Sequence, residues 1–347
     1  MEPIKEPSTP LVLLSSSPHI HSGHTVPAAM REVLLALVPA VLASFYYFRM
    51  SALSVILACV ISAMVFEAIC QKLMNRPITT YDCSAALTGL LLALCLPPSF
   101  PISLAIMGSF FAIVIGKMVF GGLGCNVFNP AHLGRAILLA SYPQQMTTWV
   151  LPVTASTTLN AVTSATMKAD AVSSATPLVS MRIAESLWQT GQQASTQLPS
   201  LWNLFIGNVG GSLGETCVPA LLVGGLFLIW RGHVDWRVPF FYLATVAVIT
   251  GIYGGVRGYD SIFPLYHLMA GGLMIGSFFM ATDWVTSPIT KRGRIVYAIG
   301  LGVLTALIRL RGSYVEGVCY SILMMNMVTP LIDKYVCNIS FGGGAKK

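Results

Sequence analysis

The chain has 347 residues, with 20 Lys and Arg against 13 Asp and Glu, and charged residues make up 10% of it, where a soluble domain carries roughly 25%. A mean hydropathy of +0.73, 55% hydrophobic residues and 31 glycines describe a chain whose solvent is mostly lipid, which excludes an ordinary soluble enzyme. The net charge of +7 is dispersed between apolar runs, with no basic stripe and no aromatic stacking platform, which excludes nucleic-acid binding.

Residues 1–30 read as a cytoplasmic N-terminal segment. Its only hydrophobic stretch, Leu11 to Leu14, falls far short of the apolar region of a cleavable signal, so the first membrane helix is expected to act as an uncleaved insertion signal. His19, His21 and His24 form an H-x-H-x-x-H pattern, but no carboxylate or cysteine stands close by to complete a ligand set, and no metal site is assigned.

A helix needs about 20 apolar residues to cross a bilayer. Ten runs qualify, at approximately 31–49, 51–71, 82–98, 101–119, 128–142, 204–230, 238–256, 262–281, 295–310 and 317–333. The expected fold is an all-α integral membrane protein with about ten transmembrane helices. Five lie in a first membrane half, 31–142, and five in a second, 204–333, around a long loop over 143–203 and ahead of a tail at 334–347. With the N-terminus inside, 14 of the 20 basic residues fall at the inner face, Lys117 and Arg135 among them, and six fall outside, Arg309 among them. Both termini are then cytoplasmic and the long loop is exported. Five spans on each side of one loop suggest an inverted 5+5 repeat, supported by the similar runs GLLLALCLPP from Gly89 and GSFFMA from Gly276, the latter followed by Pro288.

Within the first half, Asn129-Pro130-Ala131 matches the pore triplet of water channels, which carry two copies on six spans. The single copy here reads instead as a helix start, with Asn129 as N-cap and Pro130 at the first helical position. Eight cysteines without a CxxC pair read as small hydrophobes rather than cluster ligands. Carboxylates in apolar surroundings are more telling, because intramembrane charge is costly and usually faces a bundle interior or a water-filled route. Glu67, Asp82, Glu215 and Asp283 are the candidates for an ion path, each of which also suits a structural role at a helix end.

The exported loop is rich in Ser, Thr and Ala, a linker-like composition, and contains Asp170-Ala171-Val172-Ser173-Ser174-Ala175-Thr176-Pro177-Leu178. This stretch resembles the D-x-x-S/T-G/S-A-T flavinylation motif, with Ser174 where glycine is usual. Similar to the same family are Ser17–Ser22 (SPHIHS), Ala86–Leu94 (ALTGLLLAL), Gly121–Ala131 (GGLGCNVFNPA), Gly210–Thr216 (GGSLGET) and Ala281–Pro288 (ATDWVTSP). The family is the one shared by the D subunit of the ion-translocating (Rnf) oxidoreductase complex and the B subunit of the sodium-translocating NADH:quinone reductase. Chain length and the Ser-Pro-His start place the sequence on the Rnf side of that family.

The resemblance implies FMN held covalently by a phosphoester on Thr176, with Asp170, Ser173, Ser174 and Ala175 as the surrounding recognition residues. It leaves room for a second, non-covalent flavin. It further implies a bacterial inner-membrane subunit, inactive alone, that relays electrons between flavin and iron–sulfur partners, coupled to Na⁺ or H⁺ movement. Ferredoxin and NADH stand at the ends of that complex. The implied partners are a second covalent-flavin subunit, iron–sulfur subunits, two further membrane subunits and a flavin transferase for maturation. A near-copy of the motif ends at Thr166, but it has Asn160 where Thr176 has Asp170, and Met167 where Thr176 has Pro177. The rival from another class is a non-redox channel or transporter of urea-carrier type, which a purified chain without flavin colour would favour.

Overall fold

The computed structural model describes residues 25–152, 176–189, 198–312 and 316–336, all in helices, turns and loops without an extended sheet. His19, His21, His24, Thr166, Asp170, Ser173, Ser174 and Ala175 lie outside the described residues.

The first helix, α1 (Val26–Leu73), is 48 residues long. At 1.5 Å per residue it would measure about 72 Å, more than twice the ~30 Å hydrocarbon core. It is broken at Arg49, whose φ of 50° and ψ of −128° are non-helical and kink the chain between the first two expected runs. Then come α2 (Ser84–Leu94), α3 (Ile102–Phe110) with a π-helical continuation to Met118, α4 (Pro130–Ser141) and the short α5 (Pro143–Met146). Beyond the loop lie α6 (Pro177–Gln189), α7 (Leu201–Ile206), α8 (Val218–Trp230) and α9 (Arg237–Arg257). The chain continues through α10 (Phe263–Met269), α11 (Leu273–Ile275) with its π-helical extension to Met280, α12 (Lys291–Arg311) and α13 (Val318–Tyr335).

Among the described residues three helices, α1, α9 and α12, are long and apolar enough to cross a membrane, and the bent pair α10 and α11, at 65°, makes a fourth if it is one span. Several expected spans are shorter than their apolar runs because helices stop inside the protein. The run 204–230 is not one helix: Gly207–Thr216 is irregular and lies against the end of α2. There Gly214 N–H donates to Leu94 O at 2.7 Å and Leu213 N–H to Leu96 O at 3.0 Å, while Ser44 Oγ donates to Leu213 O at 2.5 Å. Leu94, Leu96 and Leu213 are all buried in the central apolar core, so this non-helical backbone is satisfied by protein. Gly214 has no alternative: an added Cβ would lie 2.7 Å from Leu94 Cβ.

The second break mirrors the first in kind. Asn129 caps α4 as expected, its Oδ1 accepting from Ala131 N–H at 3.1 Å, with Pro130 next in line. Its Nδ2 donates 3.1 Å to Met280 O, the end of the π-helical extension of α11. With its carbonyl oxygen turned toward Asn129, Asn326 of α13 accepts that residue's backbone N–H at 3.0 Å. The N-P-A triplet is thus a structural junction between the two halves.

Candidate functional site

Thr176 begins α6. Its Oγ1 accepts from Val179 N–H at 3.3 Å and its carbonyl from Ser180 N–H at 2.9 Å, so the side chain caps the helix N-terminus. Leu178 and Met181 pack α6 onto Leu204, Val209, Phe263 and Ala270. Composition alone reads as a loose linker; the apolar face of α6 docks this part of it instead. Thr176 is buried, 8% exposed.

Beside Thr176 is a cavity of about 10 Å³ bordered by Gly210, Gly211, Glu215, Thr216, Gly271 and Glu316. Gly271 has φ of 69°, and a Cβ there would meet Leu178 Cδ1 at 2.7 Å, so glycine permits both the turn and the approach of α6. Arg135 of α4 donates to Glu316 and stands 3.5 Å from Glu215 Oε1. Arg309 of α12 is spent on carbonyls: Nη1 to His267 O at 2.5 Å, Nη2 to Ala270 O at 3.1 Å and Nε to Glu316 O at 3.2 Å. It thereby closes the C-terminal end of α10, where a cation suits the helix dipole.

Three of the four sequence-derived carboxylates gather elsewhere. Glu67 Oε1 pairs with Lys117 Nζ at 2.5 Å; Lys117 also donates to Ser84 Oγ at 2.5 Å, and Ser84 Oγ donates to Asp82 Oδ1 at 2.6 Å. Asp82 further accepts Ser84 N–H at 2.8 Å, ordering the start of α2. Ser84, Lys117, Asn126 and Asp283 are polar members of a cavity of about 350 Å³ whose other walls are largely apolar, among them Val33, Leu87, Leu91 and Phe279. That volume lies in the range of cofactor sites, and so does the pattern of apolar walls with a few convergent polar groups. Asp283 accepts from Thr286 Oγ1 at 3.1 Å.

The four carboxylates therefore belong to two places, with Glu215 at the Thr176 site and Glu67, Asp82 and Asp283 around the larger cavity. Sequence reasoning missed Glu316 as Glu215's neighbour, since Glu316 sits between two runs and looks like a loop charge. It also placed Lys117, Arg135 and Arg309 at membrane faces, whereas all three are buried. Loop charge reports orientation, but a buried cation paired with acids or carbonyls does not. Without them the asymmetry is 12 to 5, in the same direction.

Near the larger cavity the turn between α8 and α9 carries a charged cluster. Asp235 contacts Arg237 Nη1 and Arg294 Nη1, each at 3.0 Å, and Arg231 and His233 both contact Glu32. Partial burial would raise the Asp235 carboxyl, but Arg237 N–H and the Arg294 and Arg237 guanidiniums outweigh it and hold it below the usual carboxylate range.

Residues 13–342 match the model of the NQR2, RnfD, RnfE family. The chain is 46% identical over 333 residues to the D subunit of the proton-translocating ferredoxin:NAD(+) oxidoreductase complex of Clostridium ljungdahlii, covering 95% of this chain and 96% of the relative. It is 44% identical to the D subunit of the Na(+)-translocating ferredoxin:NAD(+) oxidoreductase complex of Acetobacterium woodii, over 95% of each chain. To the D subunit of the ion-translocating oxidoreductase complex of Stutzerimonas stutzeri it is 39% identical, over 93% of this chain and 94% of the relative. With a family model spanning nearly its whole length and relatives this similar end to end, the chain belongs to the NQR2, RnfD, RnfE family.

Proposed function

We propose that the chain is a membrane subunit of a redox-driven ion translocase of the ferredoxin:NAD⁺ oxidoreductase kind, carrying FMN as a phosphoester on Thr176. The observation that carries this reading is the position of Thr176, a hydroxyl at a helix N-terminus docked beside buried Glu215 and Arg135 and half-buried Glu316. A phosphoester oxygen at that hydroxyl suits the N-terminal dipole of α6. The adjoining cavity is about one water in size, so it takes at most one phosphoryl oxygen and leaves the rest of the group and the flavin ring outside. When bound, flavin supplies one- or two-electron redox chemistry, and the protein supplies position and electrostatics. Thr176, held through α6 by Leu178 and Met181, fixes the tether relative to the membrane core. The larger cavity, with Lys117, Asn126 and Asp283 in its lining, is the place for a second, non-covalent flavin.

In this reading the translocated ion is Na⁺ or H⁺, the two named for the Acetobacterium and Clostridium relatives. Partners are the other membrane, flavin and iron–sulfur subunits and a flavin transferase. Ten spans in an inverted 5+5 plan are favoured by the Arg49 break, by the two interior junctions at Leu94–Gly214 and Asn129–Met280, and by the 12 to 5 basic asymmetry. That asymmetry puts both termini in the cytoplasm and residues 143–203 in the periplasm; a cysteine at Gln192 that labels only from the cytoplasm would overturn it.

The flavin assignment is tested by in-gel fluorescence of denatured chains coexpressed with the transferase. Thr176→Ala abolishes the covalent flavin and Thr166→Ala leaves it intact. Fluorescence retained by Thr176→Ala and lost from Thr166→Ala moves the site to the near-copy, and a colourless unmodified chain removes the flavin reading.

A further inference from the structure

We propose that Glu215 and Glu316 form a proton-sharing carboxyl pair, in which Glu215 carries the proton and Arg135 holds Glu316 as the charged partner. The two carboxyls face the same Arg135 Nη2, from Glu215 Oε1 and Glu316 Oε2, and border the same cavity of about 10 Å³. Two carboxylates sharing a site repel unless a proton or cation lies between them. One guanidinium, Arg135, bonds a carboxylate here, and its bond goes to Glu316. Glu215 Oε1 stands 3.5 Å from Arg135 Nη2, has no hydrogen-bond donor, and is buried with its side chain 4% exposed.

The groups facing the pair from each packed element support this assignment. From α12, Arg309 balances the formal charge, but its hydrogen bonds go to the His267, Ala270 and Glu316 carbonyls and to neither carboxylate. From α4 comes His132 beside Arg135, and from α10 His267 beside Arg309; neither imidazole has a hydrogen-bond partner. Cys95, following α2, and Cys319 of α13 are buried thiols near Arg135. Thr216 Oγ1, on the cavity wall, is likewise unpartnered. Among the described residues no cation is therefore hydrogen-bonded to Glu215, and the cavity of about 10 Å³ takes one water at most, too little for a hydrated metal ion. A proton taken from water and held on Glu215, donated to Glu316, satisfies the site. Release of that proton leaves Glu215 charged and draws Arg135 from Glu316 toward it, so one proton exchanges the partner of a buried guanidinium.

Because Thr176 borders the same cavity, negative charge arriving at that hydroxyl strengthens the hold on the proton; this corollary alone rests on the flavin reading. The pair itself is independent of it, and its test uses the full-length chain in micelles, prepared without the transferase. Infrared difference spectra at neutral pH in H₂O and D₂O should show a protonated carboxylic C=O band that shifts on deuteration. Glu215→Gln, nearly isosteric, should remove one carboxylic-acid equivalent; Glu215→Asp should restore the band at a shifted position; and Glu67→Gln should leave it in place. A band unaffected by Glu215→Gln, or absent from the unmodified chain, overturns the proposal. A band seen in K⁺ buffer that vanishes when Na⁺ replaces K⁺ overturns it in favour of a sodium site.

Discussion

The Glu67–Lys117 pair offers a sharp test of how the interior tolerates charge. Its side chains are 2% and 3% exposed, with N and O 2.5 Å apart, and Glu67 Oε2 has no further donor. At an effective dielectric constant of about 20 the attraction at that separation is about 7 kcal/mol. Desolvating each ion costs several kcal/mol, so the intact pair contributes little net stability. Removing one partner is different, because the other remains buried without compensation. Lys117→Met and Glu67→Leu should each destabilise by about 3–5 kcal/mol, whereas the double variant should recover most of that loss. Lys117→Met also strands Ser84 Oγ on one side, so its cost should exceed that of Lys117→Arg, which retains a donor. Unfolding of the purified chain in mixed micelles by titration with SDS measures all four. Single variants within about 1 kcal/mol of the unmodified chain, with additive losses in the double variant, would refute the reasoning and place the pair in contact with water.

Gly214→Ala should destabilise by about 1–3 kcal/mol through overpacking against Leu94, and thermal denaturation in detergent should show it; Gly255→Ala, with nothing within 4 Å of the added methyl, should not. Asp235, held below the usual carboxylate range, contributes stability that is full above its unfolded pKa of about 3.9 and is lost as pH falls through its lower folded value. Asp235→Asn should therefore be less stable than the unmodified chain at pH 7, with the gap closing as pH falls below about 4, as read from melting curves over that range. A gap that widens on acidification would contradict the sign.

Much of the molecule was legible from composition and periodicity, since lipid imposes a one-dimensional rule: backbone groups must bond within their own helix, and apolar runs of fixed length are the result. The break near Arg49, the Asn129 cap and the helical second half follow from that rule and from capping chemistry. The family motif brought Thr176 forward, and the cost of intramembrane charge brought Glu67, Asp82, Glu215 and Asp283 forward. Proximity was another matter. That Gly207–Thr216 is irregular backbone bonded to the end of α2 depends on Leu94 and Leu96 carbonyls more than 100 residues earlier, which no local pattern contains. Arg135 looked like a membrane-face cation because its own run is short; only packing of α4 against α13 and the Gly210–Thr216 loop brings it to Glu316 and Glu215. Local sequence encodes which segments are helical, through the cost of an unsatisfied peptide group. Which charges neutralise one another is decided by long-range packing, because Coulomb pairing depends on distance in space and is indifferent to separation along the chain.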